Sequence, residues 1–119
     1  MALRTQIDID MYQGDDQSYS FTLYTDVAQT TKYNISAATE VRMTVKDSLA
    51  PGAPTLFASP ITTPSSGGND WTNGLVVIPV SAANAALVKR DAVYDIQVSI
   101  ASTKVSPVYG KVVLRRQVS

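Results

Sequence analysis

The sequence predicts an all-β domain, an antiparallel sandwich of two sheets and about seven strands, with one short helix near residues 81–88. Three observations predict it. Apolar side chains recur at every second position over most of the chain. Clusters of Gly, Pro, Asn, Asp and Ser separate these runs at short intervals. Only one stretch, rich in alanine, changes period.

Ile7, Ile9 and Met11 alternate with Asp8, Asp10 and Tyr12, the pattern of a half-buried strand. Gln13-Gly14-Asp15-Asp16 supplies turn residues, and Tyr19, Phe21 and Leu23 resume the alternation. The two runs read as a hairpin. Residues 26–32 are polar and read as a loop, and residues 33–36 as a very short strand or crossing segment. Val41, Met43 and Val45 alternate with Arg42, Thr44 and Lys46 in the clearest strand of the chain.

Pro51, Gly52 and Pro54 turn the chain, and residues 55–59 form a short strand. Residues 60–73 read as a long flexible loop whose large apolar group is Trp71. Residues 75–80 are β-rich, with Pro79 favouring an edge. Ser81 is placed to cap the helix that Ala82, Ala83, Ala85, Ala86 and Leu87 favour, and Leu87 is expected to close one end of the sandwich. Lys89 and Arg90 follow, where positive charge suits a helix C-terminus. Tyr94, Ile96, Val98 and Ile100 define another strand, and residues 105–118 the last one. Gly110 marks a bulge or a close backbone approach within it. Residues 1–119 therefore make one domain, long enough to bury roughly two-thirds of the unfolded surface.

Composition narrows the function. The chain lacks histidine and cysteine. The usual general base, the usual transition-metal ligands and any thiolate nucleophile are absent with them. A Ser-His-Asp triad cannot be assembled, so the chain is expected to be no enzyme and to need no cofactor. Ten Lys and Arg balance ten Asp and Glu. A sequence-independent nucleic-acid binder needs a basic excess, so no nucleic-acid partner is expected. The first residues carry no apolar signal-peptide core, and no apolar run reaches the roughly 20 residues of a membrane helix. No membrane partner is expected, and assembly in a cytoplasm is.

Local motifs read blandly. Gly14-Asp15-Asp16 matches the metal-binding signature of viral RNA polymerases, but in a chain this short it reads as a polar turn. Asp8, Asp10, Asp15 and Asp16 lack the spacing of a calcium loop and read as a solvated acidic face. Asn34-Ile35-Ser36 is a glycosylation acceptor in form only. Ser65-Ser66-Gly67-Gly68-Asn69 has no following Lys-Ser and is no phosphate loop. Lys111, Arg115 and Arg116 protect the last strand from unwanted pairing or meet an acidic partner. Tyr12 and Tyr24 lie out of phase with the buried faces of their strands, which suits protein contact.

The order of elements resembles a family of tailed-bacteriophage virion domains, the immunoglobulin-like N-terminal sandwiches of baseplate upper and fibre-attachment proteins. The resemblance runs through residues 7–11, Gly14-Asp15-Asp16, Tyr19-Ser20-Phe21-Thr22-Leu23, Tyr33-Asn34-Ile35-Ser36-Ala37-Ala38, residues 39–46, residues 74–87, Tyr94-Asp95-Ile96-Gln97-Val98 and Tyr109-Gly110-Lys111-Val112-Val113. Ala37-Ala38 and Asp91-Ala92 stand where the family usually has glycine. The family continues into a fibre or receptor-binding region, and the end of this chain at residue 119 favours a free-standing particle protein.

The resemblance implies an Ig-like structural protein of a phage virion, in head decoration, tail or baseplate. Its partners would be other virion proteins, met in multiple symmetric copies or as a homo-oligomer. The expected contact residues are Trp71, Tyr12, Tyr24, Arg115 and Arg116. An alternative is a carbohydrate- or surface-binding module in which Trp71 stacks on sugar rings, and a third is a small hydrolase, for which no acid–base pair is evident.

Overall fold

Among the described residues eight strands form two sheets. A computed structural model describes residues 5–25, 31–48, 52–62, 68–101 and 103–115. The strands are β1 (Thr5–Gln6), β2 (Ile9–Tyr12), β3 (Gln17–Thr22), β4 (Glu40–Lys46), β5 (Thr55–Ile61), β6 (Leu75–Val80), β7 (Ala92–Ile100) and β8 (Thr103–Arg115). A 3₁₀ turn spans Trp71–Asn73, and one helical turn, α1, spans Ala82–Ala85.

The large sheet has the order β1-β8-β7-β4-β5, with β2 also pairing β8. The small sheet is β3 against β6. Inward residues of both sheets, among them Met11, Phe21, Met43, Ile78, Ile96 and Val112, form one buried core. Phe21 of the small sheet meets Tyr94 of the large one with ring centroids 6.0 Å apart. The period-two pattern thus produces two facing sheets, as the sequence predicts.

Two pairings differ from the sequence reading. β2 and β3 are not a hairpin: β2 pairs β8 and β3 pairs β6, in different sheets. The turn after Tyr12 carries the chain across the edge of the sandwich, so each run buries its apolar face from the opposite side of the core. The large sheet is mixed, because β1 and β2 run parallel to β8. Of the two forms expected for residues 33–36, they take the crossing segment and not the strand. Ile35 is buried there, and its N–H bonds Trp71 O at 2.9 Å.

The break between β1 and β2 has a steric cause. A Cβ on Gly110 would lie 2.1 Å from Ile7 O, so the strands touch backbone to backbone at this point. Only glycine leaves that space. Ile7 O accepts the Tyr94 hydroxyl, and Ile7 N donates to Tyr109 O at 2.8 Å. Asp8 Oδ1 then accepts from Lys111 N at 2.9 Å, resuming contact with β8.

The helix is shorter than predicted. Ser81 caps it by accepting from Asn84 N. Ala85 and Val88, three residues apart, face the core, whereas Leu87 is exposed and does not close the sandwich.

Candidate protein-contact site

Large exposed apolar groups are scarce among the described residues: Tyr12 at 49% and Leu87 at 47%. Both lie at the end of the sandwich where β2, β6 and β8 finish. Gln13 ties the two segments together, because its Nε2 donates to Val88 O at 3.0 Å. Its backbone N–H donates to Arg115 O at 2.9 Å. Strand alternation sets the Tyr12 side chain on the outer face, since Ile9 and Met11 point inward. Arg115 is the register partner of Tyr12 on β8, and its Nε lies 3.5 Å from Asp10 Oδ1. That ion pair is largely exposed, so it orders the side chain without adding much stability.

The same end carries further charge. Asp47 pairs side-on with Arg90, its two carboxylate oxygens accepting from Nε and Nη2, which holds the Asp47 carboxyl below the usual range. Asp16 Oδ1 accepts from Ala82 N at 2.7 Å, at the start of α1. An apolar pair bordered by paired charges is the composition of an interface centre with a polar rim.

Beside this end an open groove of about 780 Å³ runs between the two sheets. Pro60 of β5 and Pro79 of β6 border it, with Asp16, Ser59 and Ser81. Its lining mixes Ser18, Ser59 and Asn84 with Ala58, Ile61 and Val80, and its carboxylate is already bonded to Ala82.

The expected contact residues separate. Tyr12 and Arg115 come together. Arg116 lies outside the described residues. Tyr24 sits at the opposite end, half-buried and bridged to Lys32. Trp71 has no exposed surface, which removes it as a partner contact and as a sugar-stacking platform. It plugs the core, and its Nε1 donates to Asn69 Oδ1 at 3.2 Å. The stretch expected to be a flexible loop is therefore anchored at residues 69–75, while residues 63–67 lie outside the described set. Leu87 was missed because alanine-rich helical spacing suggested a buried last apolar residue. The spacing of Ala85 and Val88 is the signal that would have exposed it.

The four N-terminal aspartates do not converge. Asp8 bonds Lys111 N, Asp10 faces Arg115 and Asp16 holds α1. Among the described residues no group of three acidic side chains could hold a metal ion. No helix among them is long and apolar enough to cross a membrane.

No family model matches the chain, and no curated protein matches it. It is similar to a solved structure from a study of multimeric cell-adhesive interactions of VGSC beta subunits. The identity is 10%, over 94% of this chain and 92% of that one, with a TM-score of 0.41. The strand pairing and the shared core define the described residues as a two-sheet β-sandwich.

Proposed function

We propose that this chain is a non-enzymatic, Ig-like building block of a tailed-phage particle that binds other virion proteins in multiple copies. It does so through the end bearing Tyr12, Leu87 and Arg115. The single observation that carries the contact site is the placement of both large exposed apolar residues on either side of the Gln13–Val88 hydrogen bond. The element order in the sequence supports the virion setting.

The strand pairing supports the Ig-like reading. β3 and β6 match the B and E positions of that architecture, and β4, β5, β7 and β8 match C, C′, F and G. The Phe21–Tyr94 contact joins the two sheets where antibody domains place a disulfide between B and F.

Tyr12→Ala combined with Leu87→Asp tests the site. Both positions are exposed, so the fold should hold within about 0.5 kcal/mol. Incorporation into particles should fall at least tenfold. Wild-type incorporation of a folded double variant would overturn the reading.

A further inference from the structure

We propose that β3 is the edge through which two copies of this chain join, antiparallel and about a twofold axis at Ser20, making one four-stranded sheet from two small sheets. The inference deepens the proposed function by naming a partner, a second copy, and rests on the multi-copy assembly in that reading.

The backbone directions on the small sheet can be worked out from its outer bonds. On β6, Leu75 exchanges two hydrogen bonds with Asp70, at 2.9 and 3.0 Å. Val77 exchanges two with the Asn69 side chain, at 2.8 and 3.1 Å. Pro79 has no N–H. These three residues therefore point their backbone groups away from β3, and that edge of β6 is closed. Their partners in register are Thr22, Ser20 and Ser18. In an antiparallel pair, residues opposite one another are either both bonded across or both turned outward. Ser18, Ser20 and Thr22 therefore turn their N–H and C=O groups outward from the other edge of the sheet. Among the described residues no strand pairs with that edge.

Two of the other exposed edges, those of β5 and β2, are defended. Pro60 sits on β5, where its missing donor interrupts any ladder. On β2, the Gln17 amide occupies both backbone groups of Tyr12, and the Tyr19 hydroxyl bonds Asp10 O. β3 has no proline, no charge and no bulge, the devices that normally protect an edge.

The β3 sequence fits itself. With Ser20 on the axis, Ser20 faces Ser20 and Ser18 faces Thr22 of the other copy. These three bonded pairs give about six backbone hydrogen bonds. Ser18 and Thr22 bring hydroxyls together on the outer face, and Tyr19 comes opposite Phe21 on the inner face. Both are favourable cross-strand pairs. Residues 17–25 contain no charge, so a twofold arrangement sets no like charges opposite each other, and the chain has zero net charge.

Sedimentation of the purified chain, with substitutions at Ser20, tests this. The wild type should show a concentration-dependent monomer–dimer equilibrium. Ser20→Lys, which sets two ammonium groups across the axis, should shift the dissociation constant at least tenfold toward monomer with an unchanged circular-dichroism spectrum. Because the chain has no cysteine, Ser20→Cys gives an independent readout. Bonded antiparallel neighbours stand about 5.5 Å apart, within disulfide reach. That variant should oxidise to a covalent dimer at least tenfold faster than Ser36→Cys, an exposed control. A monomer at every concentration, or a dimer indifferent to Ser20→Lys, would overturn the proposal. Neither substitution touches Tyr12 or Leu87, so failure here leaves the particle-incorporation test standing.

Discussion

The side-chain amide of Asn69 pairs with Val77 as a neighbouring strand would: Oδ1 accepts from Val77 N at 2.8 Å and Nδ2 donates to Val77 O at 3.1 Å. The same oxygen accepts from Trp71 Nε1. One buried amide thus closes a sheet edge and seats the only tryptophan. Asn69→Ala leaves the Val77 and Trp71 donors without that acceptor, and should cost about 2–4 kcal/mol in urea unfolding. Gln17 does the same for Tyr12 from a more exposed position, so Gln17→Ala should cost about 1 kcal/mol.

Trp71→Ala should destabilise the monomer by about 3–5 kcal/mol, because the ring is wholly enclosed and its removal leaves a cavity. Thermal unfolding of the isolated chain checks this. A variant as stable as wild type would contradict the buried placement.

Gly110→Ala should act on the N-terminal strands. The added methyl meets Ile7 O at 2.1 Å, so β1 and β2 must shift away from β8. The expected loss is about 1–3 kcal/mol. Hydrogen exchange should show it as lost protection at Ile7 and Ile9, with β4 and β7 protected as before.

Alkaline pH should unfold the chain through two tyrosines. Burial, with Asp10 nearby, pushes the Tyr19 hydroxyl up to about 12. Burial, with a smaller effect of Asp8, raises Tyr94 as well. Unfolded tyrosines ionise near about pH 10. The stabilisation from each neutral phenol is complete below that pH and is lost as pH rises through the folded value. Urea midpoints should therefore fall between about pH 10 and 12, and Tyr19→Phe should flatten part of that fall.

Much of the strand content was legible because one face of each strand is buried. The alternations at Ile9/Met11, Val41/Met43/Val45 and Ile96/Val98 appear directly as buried inward residues. Pairing was not legible. The turn at Gly14 is compatible with a hairpin, and only closure of the whole core sends β2 to β8. Asn69 and Gln17 resemble ordinary turn and strand residues in sequence, and their role as substitute strands depends on neighbours that the fold supplies. Of the candidate contact site, Tyr12 and Arg115 were readable from phase and charge. Leu87 was misread, since the alanine-rich run suggested a buried last apolar residue although Ala85 and Val88, three apart, define the inward side.

The parallel pairing of β1 and β2 with β8 has a mechanical consequence. Thr5 lies level with Val108, midway along β8, and Arg115 lies at the end of β8, so the two points are offset along the strand direction. Tension applied between them pulls these strands lengthwise past each other and loads their hydrogen bonds together in shear, where a terminal hairpin would peel one bond at a time.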